Sequence, residues 1–214
     1  MNKIFAIGDI HGCFDQLQTL IKNLDIDQQY DTLVFIGDYI DRGSFVKEVV
    51  DYVIKLRSEF KNVVCLMGNH EQMLLHYLKG IDEKMYLANG GPATLLSYGI
   101  NRTCVPQIRR AAIPPDHLLF FQSLLPYYET KDYIFVHAGL KPGLLLSEQD
   151  VEDLLWIRQD FINSEYDFGK QVIFGHTPMS EPLIRQNKIG IDTGAVSGGK
   201  LTCVELPKVI IHQV

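Results

Sequence analysis

Short polar turns that carry aspartate, asparagine and histidine recur along this sequence, each directly after a run of apolar residues. In chain order the turns read GDIHG, GDYIDRG, GNHE, HAG and GHT. They offer carboxylate, amide and imidazole donors and no thiolate, a set that suits Mn²⁺, Fe or Zn²⁺ better than Cu(I). The candidate metal ligands are Asp9, His11, Asp38, Asn69, His137 and His176.

Six candidate ligands are too many for one ion that must keep a position open for water, but they suit two ions about 3.5–4 Å apart. Two dications repel each other, and a carboxylate that contacts both relieves this repulsion. Asp38 comes from the middle of the set and is the predicted bridge. We therefore expect a site for two divalent metal ions, with manganese as first choice and iron or zinc as alternatives.

Three further residues in these turns favour phosphate chemistry. Arg42 carries a planar guanidinium that can bind phosphate through two parallel hydrogen bonds. Asp41 can orient His70, which fixes the tautomer of the ring and raises its basicity. A protonated His70 could then give a proton to a departing alkoxide as general acid. Any one turn is weak evidence, but turn propensity does not explain the ordered set.

The elements between the turns predict the fold class. The apolar runs are rich in Val, Ile and Phe and too short for helices, so they are typical of buried strands. Residues 14–23 and 46–57 have the apolar spacing of helices. Strands that alternate with helices indicate a layered α/β fold. Ligands bind beyond the carboxyl ends of strands in such folds, and all five turns fall there.

The middle of the chain has a different pattern. Residues 72–131 contain helix-like segments broken by glycine and proline, which we interpret as a helical insertion beside the site. Strand patterns return after residue 188. We expect one domain that spans residues 1–214.

The composition restricts the partners and the compartment. The chain has 214 residues and a net charge of −6, which argues against non-specific binding of nucleic acid or an anionic membrane. Its four cysteines are far apart and show no C-x-x-C spacing, so a zinc ribbon has no support. The sequence shows no signal-peptide pattern and no apolar run that could span a membrane. We expect a cytoplasmic protein.

As an ordered set, the five motifs resemble the signature of the phosphoprotein phosphatase family of metallophosphoesterases, in particular its small bacterial and phage members. NGG at 89–91 and IDTGA at 191–195 extend the likeness. The resemblance implies a four-layer α-β-β-α sandwich with the dinuclear site at one edge of two mixed sheets. It implies that Asp9, His11 and Asp38 hold the first metal ion, and that Asp38, Asn69, His137 and His176 hold the second.

The resemblance also assigns substrate contacts. It gives Arg42 to phosphate binding and the Asp41–His70 pair to protonation of the leaving group. Family members use a further arginine after a tryptophan, and Arg158 follows Trp156 in LLWIRQDF. Arg158 is therefore a predicted second phosphate ligand, and Asn69 is predicted to contact substrate as well as metal.

The implied activity is hydrolysis of phosphoserine and phosphothreonine monoesters, with phosphotyrosine as an extension, by metal-activated hydroxide. The partner would then be a phosphoprotein or phosphopeptide.

Met67 stands where many members of the family have arginine before GNHE. Symmetrical diadenosine tetraphosphate hydrolases, a related branch, also lack that arginine. They typically read GNHD and lack the aspartate of DRG, whereas this chain has Glu71 and Asp41. The sequence therefore favours a protein phosphatase and keeps a small nucleotide as the alternative substrate. A metal-binding scaffold without catalysis is disfavoured, because every ligand position and the Asp41–His70 pair are occupied.

Overall fold

The computed structural model describes residues 2–214 and contains two five-stranded sheets. The strands are β1 (Ile4–Ile7), β2 (Thr32–Phe35), β3 (Val63–Cys65), β4 (Tyr127–Glu129), β5 (Tyr133–Val136), β6 (Gln171–Phe174), β7 (Leu183–Ile184), β8 (Lys188–Gly190), β9 (Thr202–Leu206) and β10 (Ile210–Gln213). The first sheet has the order β10-β9-β1-β2-β3, and the second has the order β4-β5-β6-β8-β7. Both sheets are mixed. In the first, β1, β2 and β3 run parallel, whereas β9 is antiparallel to β1 and to β10. In the second, β5, β6 and β8 run parallel, whereas β4 and β7 pair antiparallel at the two edges.

The two sheets pack face to face, because their central strands are apolar on both faces. In β1, Ala6 lies in the core between the sheets, whereas Phe5 and Ile7 face the helices outside. This alternation follows from the period of two in a strand. Phe135 and Ile173 of the second sheet belong to the same core as Ala6. A strand buried on both faces has a continuous apolar sequence, which explains the short runs.

Helices cover the outer face of each sheet. They are α1 (Phe14–Asn23), α2 (Val46–Glu59), α3 (Asn69–Tyr77), α4 (Glu83–Ala88), α5 (Gly91–Ser97), α6 (Pro106–Ala112), α7 (Pro115–Gln122), α8 (Val151–Trp156) and α9 (Gln159–Ile162). Helices α1 and α2 lie on the first sheet, and α8 and α9 pack on the second. The predicted helix over 14–23 is confirmed, and that over 46–57 continues to Glu59. The four-layer arrangement is confirmed.

Helices α3 to α7 occupy most of the predicted insertion, with one correction. Tyr127–Glu129 lies inside the range 72–131 but forms strand β4. Pro126 ends the helical pattern, and the following residues pair antiparallel with β5. The insertion therefore leads directly into the second sheet. Within residues 2–214, no helix has the length and apolar character needed to cross a bilayer.

Candidate active site

The predicted ligands lie in loops that follow strands of both sheets. Asp9 and His11 follow β1, Asp38 follows β2, and Asn69 begins α3 after β3. His137 follows β5 directly and His176 lies two residues beyond β6. Because the strands that carry these loops are parallel within each sheet, their carboxyl ends meet at one edge. All six side chains are buried.

Asp38 is the centre of this cluster. Its Oδ2 lies 3.3 Å from His11 Nε2, and its Oδ1 lies 3.5 Å from His137 Nε2. The potential ligand atoms form two groups, and within each group they all lie within 4.8 Å of one another. One group is His11, Asp38 and His70, and the other is Asp38, His137 and His176. Asp38 belongs to both groups, the position that a bridging carboxylate requires.

Asn69 and Asp9 differ in how close they come to these groups. Asn69 Oδ1 is 3.0 Å from His137 Nε2 and 3.0 Å from His176 Nδ1, so it lies inside the second group. The carboxylate of Asp9 instead accepts the backbone N–H of His176 at 3.1 Å and belongs to neither group. His70 is the third member of the first group, and metal binding by Asp9 stays a prediction.

Backbone carbonyls fix the imidazole tautomers of two predicted ligands. His11 Nδ1 lies 2.6 Å from the carbonyl oxygen of Ile40, and His137 Nδ1 lies 2.9 Å from that of Ile36. A carbonyl only accepts, so Nδ1 carries the proton in both rings. The other nitrogen, Nε2, faces Asp38. This arrangement of a ring held through one nitrogen and presented through the other is typical of metal-binding histidines.

Burial and neighbouring charges shift the pKa values of several predicted ligands. Burial, followed by the charges of Asp192 and Asp38, raises the pKa of Asp9 well above its ordinary value. Burial would also raise the pKa of Asp38, but His137, His70 and His11 hold it well below the ordinary value. Burial lowers the pKa of His137. Burial and the neighbouring His137 lower that of His176 to about 2. Without a bound ion, burial therefore favours the neutral forms of Asp9, His137 and His176, whereas Asp38 keeps its charge.

His176 Nε2 is the most direct sign that the site fits a metal. Among residues 2–214, it is one of two buried side-chain polar atoms with no hydrogen-bond partner. An unpaired buried nitrogen costs free energy unless a ligand satisfies it. The oxygen and nitrogen donors suit divalent ions, so these residues could hold them.

Asp41, Arg42 and His70 form a second cluster beside the ligands. His70 Nδ1 lies 2.7 Å from Asp41 Oδ2, and both side chains are fully buried. The guanidinium of Arg42 donates to His70 Nε2 at 3.0 Å and to His11 Nε2 at 3.1 Å. The structure therefore brings together the predicted acid, its orienting carboxylate and the predicted phosphate ligand.

Several site residues have left-handed backbone conformations that side chains other than glycine rarely adopt. The φ angles are 46° at His11, 54° at Asp38, 69° at Asp41, 66° at Arg42 and 63° at His176. Each costs on the order of 1–2 kcal/mol. Such strain persists only where the surroundings hold it, and it is enriched at functional sites.

Glu71 holds the strained turn that follows β2. Its Oε2 accepts the N–H groups of Asp38 and Gly68 at 3.0 Å, and its Oε1 accepts those of Tyr39 and Ile40 at 2.9 and 3.3 Å. Burial and the charge of Asp38 raise its pKa to about 8, while the N–H groups of Gly68 and Asp38 oppose this rise. Four N–H donors face the carboxylate, and this arrangement stabilises its charged form.

Arg158 lies near the site but makes a contact that the sequence does not predict. Its Nη1 donates to the backbone carbonyl of His176 at 3.0 Å and to Thr177 Oγ1 at 3.2 Å. Trp156 packs edge-on against His176, with ring centroids 6.0 Å apart, and its Nε1 donates to Gln72 Oε1 at 3.0 Å. These contacts connect α8 to His176 and to α3.

Sequence reasoning missed four residues that shape the site: Glu71, Tyr86, Thr94 and Asp192. Tyr86 and Thr94 donate hydrogen bonds to Asp41, and Asp192 adds negative charge near Asp9. The motifs GNHE and IDTGA contain Glu71 and Asp192 and could have identified them. No motif identifies Tyr86 or Thr94, since only folding brings α4 and α5 against Asp41.

Comparison with known proteins assigns the family. A family model described as calcineurin-like phosphoesterase matches residues 2–203, almost the whole chain. That span includes all the loops that carry the predicted ligands.

Named relatives carry two kinds of activity. The asymmetrical bis(5'-nucleosyl)-tetraphosphatase PrpE of Bacillus cereus (strain Q1) is 28% identical over 99% of this chain and 94% of its own length. Serine/threonine-protein phosphatase 1 of Salmonella typhimurium is 29% identical over 95% of this chain and 91% of its own length. The crystal structure of a proposed diadenosine tetraphosphatase superposes with a TM-score of 0.76 at 23% identity, covering 100% of this chain and 93% of that one. That likeness shows the fold.

Proposed function

The chain belongs to the calcineurin-like phosphoesterase family, and within that family we propose that it is a dinuclear metal-dependent phosphatase of phosphoserine and phosphothreonine, with phosphotyrosine as an extension. The observation that carries this proposal is the buried Asp41–His70 pair, whose Oδ2 and Nδ1 atoms are 2.7 Å apart. A serine or threonine alkoxide is a basic leaving group that needs a proton, and an oriented histidine supplies one. A departing phosphate group, as in dinucleotide cleavage, has much less need of an acid.

The ligands divide into two sets that share Asp38. One proposed set is His11 and Asp38 with Asp9, whose carboxylate accepts the N–H of His176 in this structure and would join them when an ion binds. The other is Asp38, Asn69, His137 and His176. When bound, the metal ions, for which manganese is our first choice and iron or zinc are alternatives, supply Lewis acidity and activate the attacking water. His11 and His137 are held ready for this role by their contacts to backbone carbonyls.

Arg42 and His70 act on the substrate. Arg42 binds the phosphate oxygens through the guanidinium nitrogens that now face His11 and His70. This contact with phosphate draws Arg42 away from His70 Nε2 and leaves that nitrogen facing the leaving oxygen. Arg158 and Asn69 are proposed as further phosphate contacts.

The proton balance is simple. As the bond between water oxygen and phosphorus forms, the ester P–O bond breaks. In the structure His70 Nε2 faces the Arg42 guanidinium, so this nitrogen takes up a proton from solvent once Arg42 has moved to the phosphate. That proton then passes to the leaving oxygen, while Asp41 stabilises the ring through Nδ1–H. The proton that the attacking water loses goes to solvent, so no net proton is gained or lost over one turnover. The products are inorganic phosphate and the free hydroxyl of the protein side chain.

The substitution His70→Asn tests this assignment. We expect kcat on a phosphothreonine peptide to fall by about 10²–10⁴-fold, with a much smaller fall on p-nitrophenyl phosphate, whose leaving group needs no proton. Metal content per chain, measured by mass spectrometry after loading with Mn²⁺, should not change. His76→Asn, at a partly exposed position on the same helix, is the matched control and should behave as wild type.

Equal losses on both substrates together with lost metal would overturn the acid assignment. His70 would then be a metal ligand, as its place beside His11 and Asp38 allows.

A second candidate is asymmetrical dinucleoside tetraphosphate hydrolysis. It is favoured by the near full-length likeness to PrpE, and Met67 in place of arginine before GNHE is compatible with it. The sequence raised symmetrical cleavage as the alternative, whereas the named relative is asymmetrical. Values of kcat/KM on the phosphopeptide and on diadenosine tetraphosphate decide between the two candidates. A strong preference for the dinucleotide, with ATP and AMP as products, would replace the first proposal by the second.

A further inference from the structure

The second oxygen of Asp41 has partners of its own. While Oδ2 faces His70, Oδ1 accepts the hydroxyl of Tyr86 at 2.9 Å and that of Thr94 at 2.5 Å. Thr94 Oγ1 also accepts the backbone N–H of Asp41 at 3.0 Å. The carboxylate is thus held at both oxygens, and its backbone is fixed by the same threonine.

Both hydroxyls come from the helical insertion. Tyr86 lies on α4 and Thr94 on α5, and both are fully buried. The two helices pack closely at Gly91, where a Cβ atom would lie only 2.6 Å from Tyr86 Cε1. The insertion also contacts the next residue, since the backbone N–H of Arg42 donates to the carbonyl of Gly90 at 3.1 Å. The insertion therefore forms the wall behind Asp41 and Arg42.

The direction of each hydrogen bond is defined. Thr94 Oγ1 accepts from a backbone N–H, so its own proton points to Asp41 Oδ1. Burial, followed by the charge of Asp41, raises the pKa of Tyr86 well above its ordinary value, so the phenol keeps its proton and donates. Two donors on Oδ1 stabilise the charged carboxylate, and charge-assisted bonds of this kind are the strong ones.

We propose that Tyr86 and Thr94 are positioning residues for the proton donor: they fix the Asp41 carboxylate so that it holds the His70 ring in the orientation that delivers its proton. This proposal rests on the proposed function, because it assumes that His70 is the general acid. Without a donor on Oδ1, the carboxylate can turn about its Cβ–Cγ bond. His70 then loses a fixed orientation, although no metal ligand has been touched.

Tyr86→Phe tests the proposal with little change in shape. It removes one donor to a charged acceptor, so we expect kcat on a phosphothreonine peptide to fall by about 10-fold or more. On p-nitrophenyl phosphate the fall should be less than about 2-fold, because that reaction makes little use of the acid. A merely structural role would lower both rates alike.

Tyr77→Phe is the matched control. The Tyr77 ring packs against Tyr86 with centroids 4.9 Å apart, and its hydroxyl is buried with no hydrogen-bond partner in the part of the chain that the structure describes. This variant removes the same atom from the neighbouring ring and should leave both rates unchanged.

Thr94 gives an independent check. Thr94→Val removes the two hydrogen bonds that Thr94 makes with Asp41, one to the backbone N–H and one to Oδ1. Thr94→Ser keeps the hydroxyl. We expect the serine variant to retain the wild-type ratio of the two rates and the valine variant to reduce it at least as much as Tyr86→Phe. If the valine variant does not fold, the Tyr86→Phe and Thr94→Ser measurements still decide.

A readout that does not depend on turnover is the NMR signal of the His70 Nδ1 proton in protein loaded with diamagnetic Zn²⁺. Tyr86→Phe should shift this signal and speed its exchange with water, and Tyr77→Phe should do neither. An unchanged signal and a uniform fall in both rates would overturn the positioning role.

Failure of this proposal can be told apart from failure of the proposed function. If His70→Asn affects the two substrates differently but Tyr86→Phe does not, only the positioning role is wrong. If His70→Asn itself shows no difference between substrates, the general-acid assignment fails first.

Discussion

The proposed metal-ligand cluster around Asp38 and the proposed proton-donor pair Asp41–His70 lie side by side but are built in different ways. The ligands stand in loops that leave the carboxyl ends of strands, and backbone groups orient them, as the carbonyl of Ile36 does for His137. The proton-donor pair is oriented by side chains from the helical insertion, through the hydroxyl of Tyr86.

With the roles proposed above, this difference separates metal binding from proton transfer. Backbone contacts in a sheet depend little on the identity of neighbouring side chains, so the metal cluster follows from the strands themselves. Side-chain contacts from an insertion depend on particular residues. Under the proposed roles, substitutions in the insertion can therefore change proton transfer while the metal ligands stay in place.

We expect the largest effect from Asp38→Asn, which changes the proposed metal cluster. Asp38 belongs to both groups of ligands, so its loss removes the shared anion. We expect turnover to fall by about 10³-fold, since the ions supply several kcal/mol of charge stabilisation. The fall should be equal on phosphopeptide and p-nitrophenyl phosphate, and metal per chain should fall below two.

Asp15→Asn, on the exposed side of α1, is the control for Asp38→Asn. A loss confined to the phosphopeptide, with two metal ions retained, would contradict the division between the two clusters.

Glu71→Gln tests the carboxylate that holds the loop containing Asp38 and Ile40. It replaces a charged acceptor of four backbone N–H groups by an amide whose NH₂ must face some of them. We expect the free energy of unfolding to fall by about 3 kcal/mol or more, since bonds to a charged group contribute about 1.5–3 kcal/mol each. In a chain of this size that lowers Tm by about 6–12 °C.

Thermal unfolding of the metal-stripped protein measures this effect without the contribution of bound ions. Glu48→Gln, exposed on α2, should leave Tm unchanged. An unchanged Tm for Glu71→Gln would contradict a charged carboxylate that accepts four backbone N–H groups.

Arg158→Ala tests a contact to His176, which follows a strand of the second sheet. The guanidinium holds the carbonyl of His176, whose backbone is left-handed. Loss of such a supporting contact weakens metal binding by about 10–100-fold in other sites. A Mn²⁺ titration should show weaker binding of one ion, with Arg110→Ala on the insertion as the control. Unchanged Mn²⁺ affinity with a raised KM would instead favour the direct phosphate contact that the sequence predicts.

Much of the fold could be read from the sequence, because its strands are buried on both faces. Ile4–Ile7 and Gln171–Phe174 are short apolar runs followed by polar turns, and this pattern predicts a strand without reference to the rest of the chain. Tyr127–Glu129 was predicted within the helical insertion but forms an edge strand. It is half exposed, so its pattern is weak, and pairing with β5 decides its structure.

In the candidate site, too, the sequence predicts local features but not contacts between distant segments. The sequence indicated Asp38, Asn69 and the histidines, because metal chemistry demands particular donors at the ends of strands. The left-handed backbone at Asp38 and His176, and the residues that hold it, could not be read from the sequence, since hydrogen bonds between distant segments create them.

By itself, the sequence determined which donor atoms are available and that they follow strands in a layered α/β chain. Only the tertiary structure decided that Asp9 turns toward the N–H of His176, that Arg158 binds the carbonyl of the same residue, and that Tyr86 and Thr94 close around Asp41. The physical reason is that local propensity and burial patterns act along the chain, whereas a buried carboxylate takes its partners from whichever segments packing brings within about 3 Å.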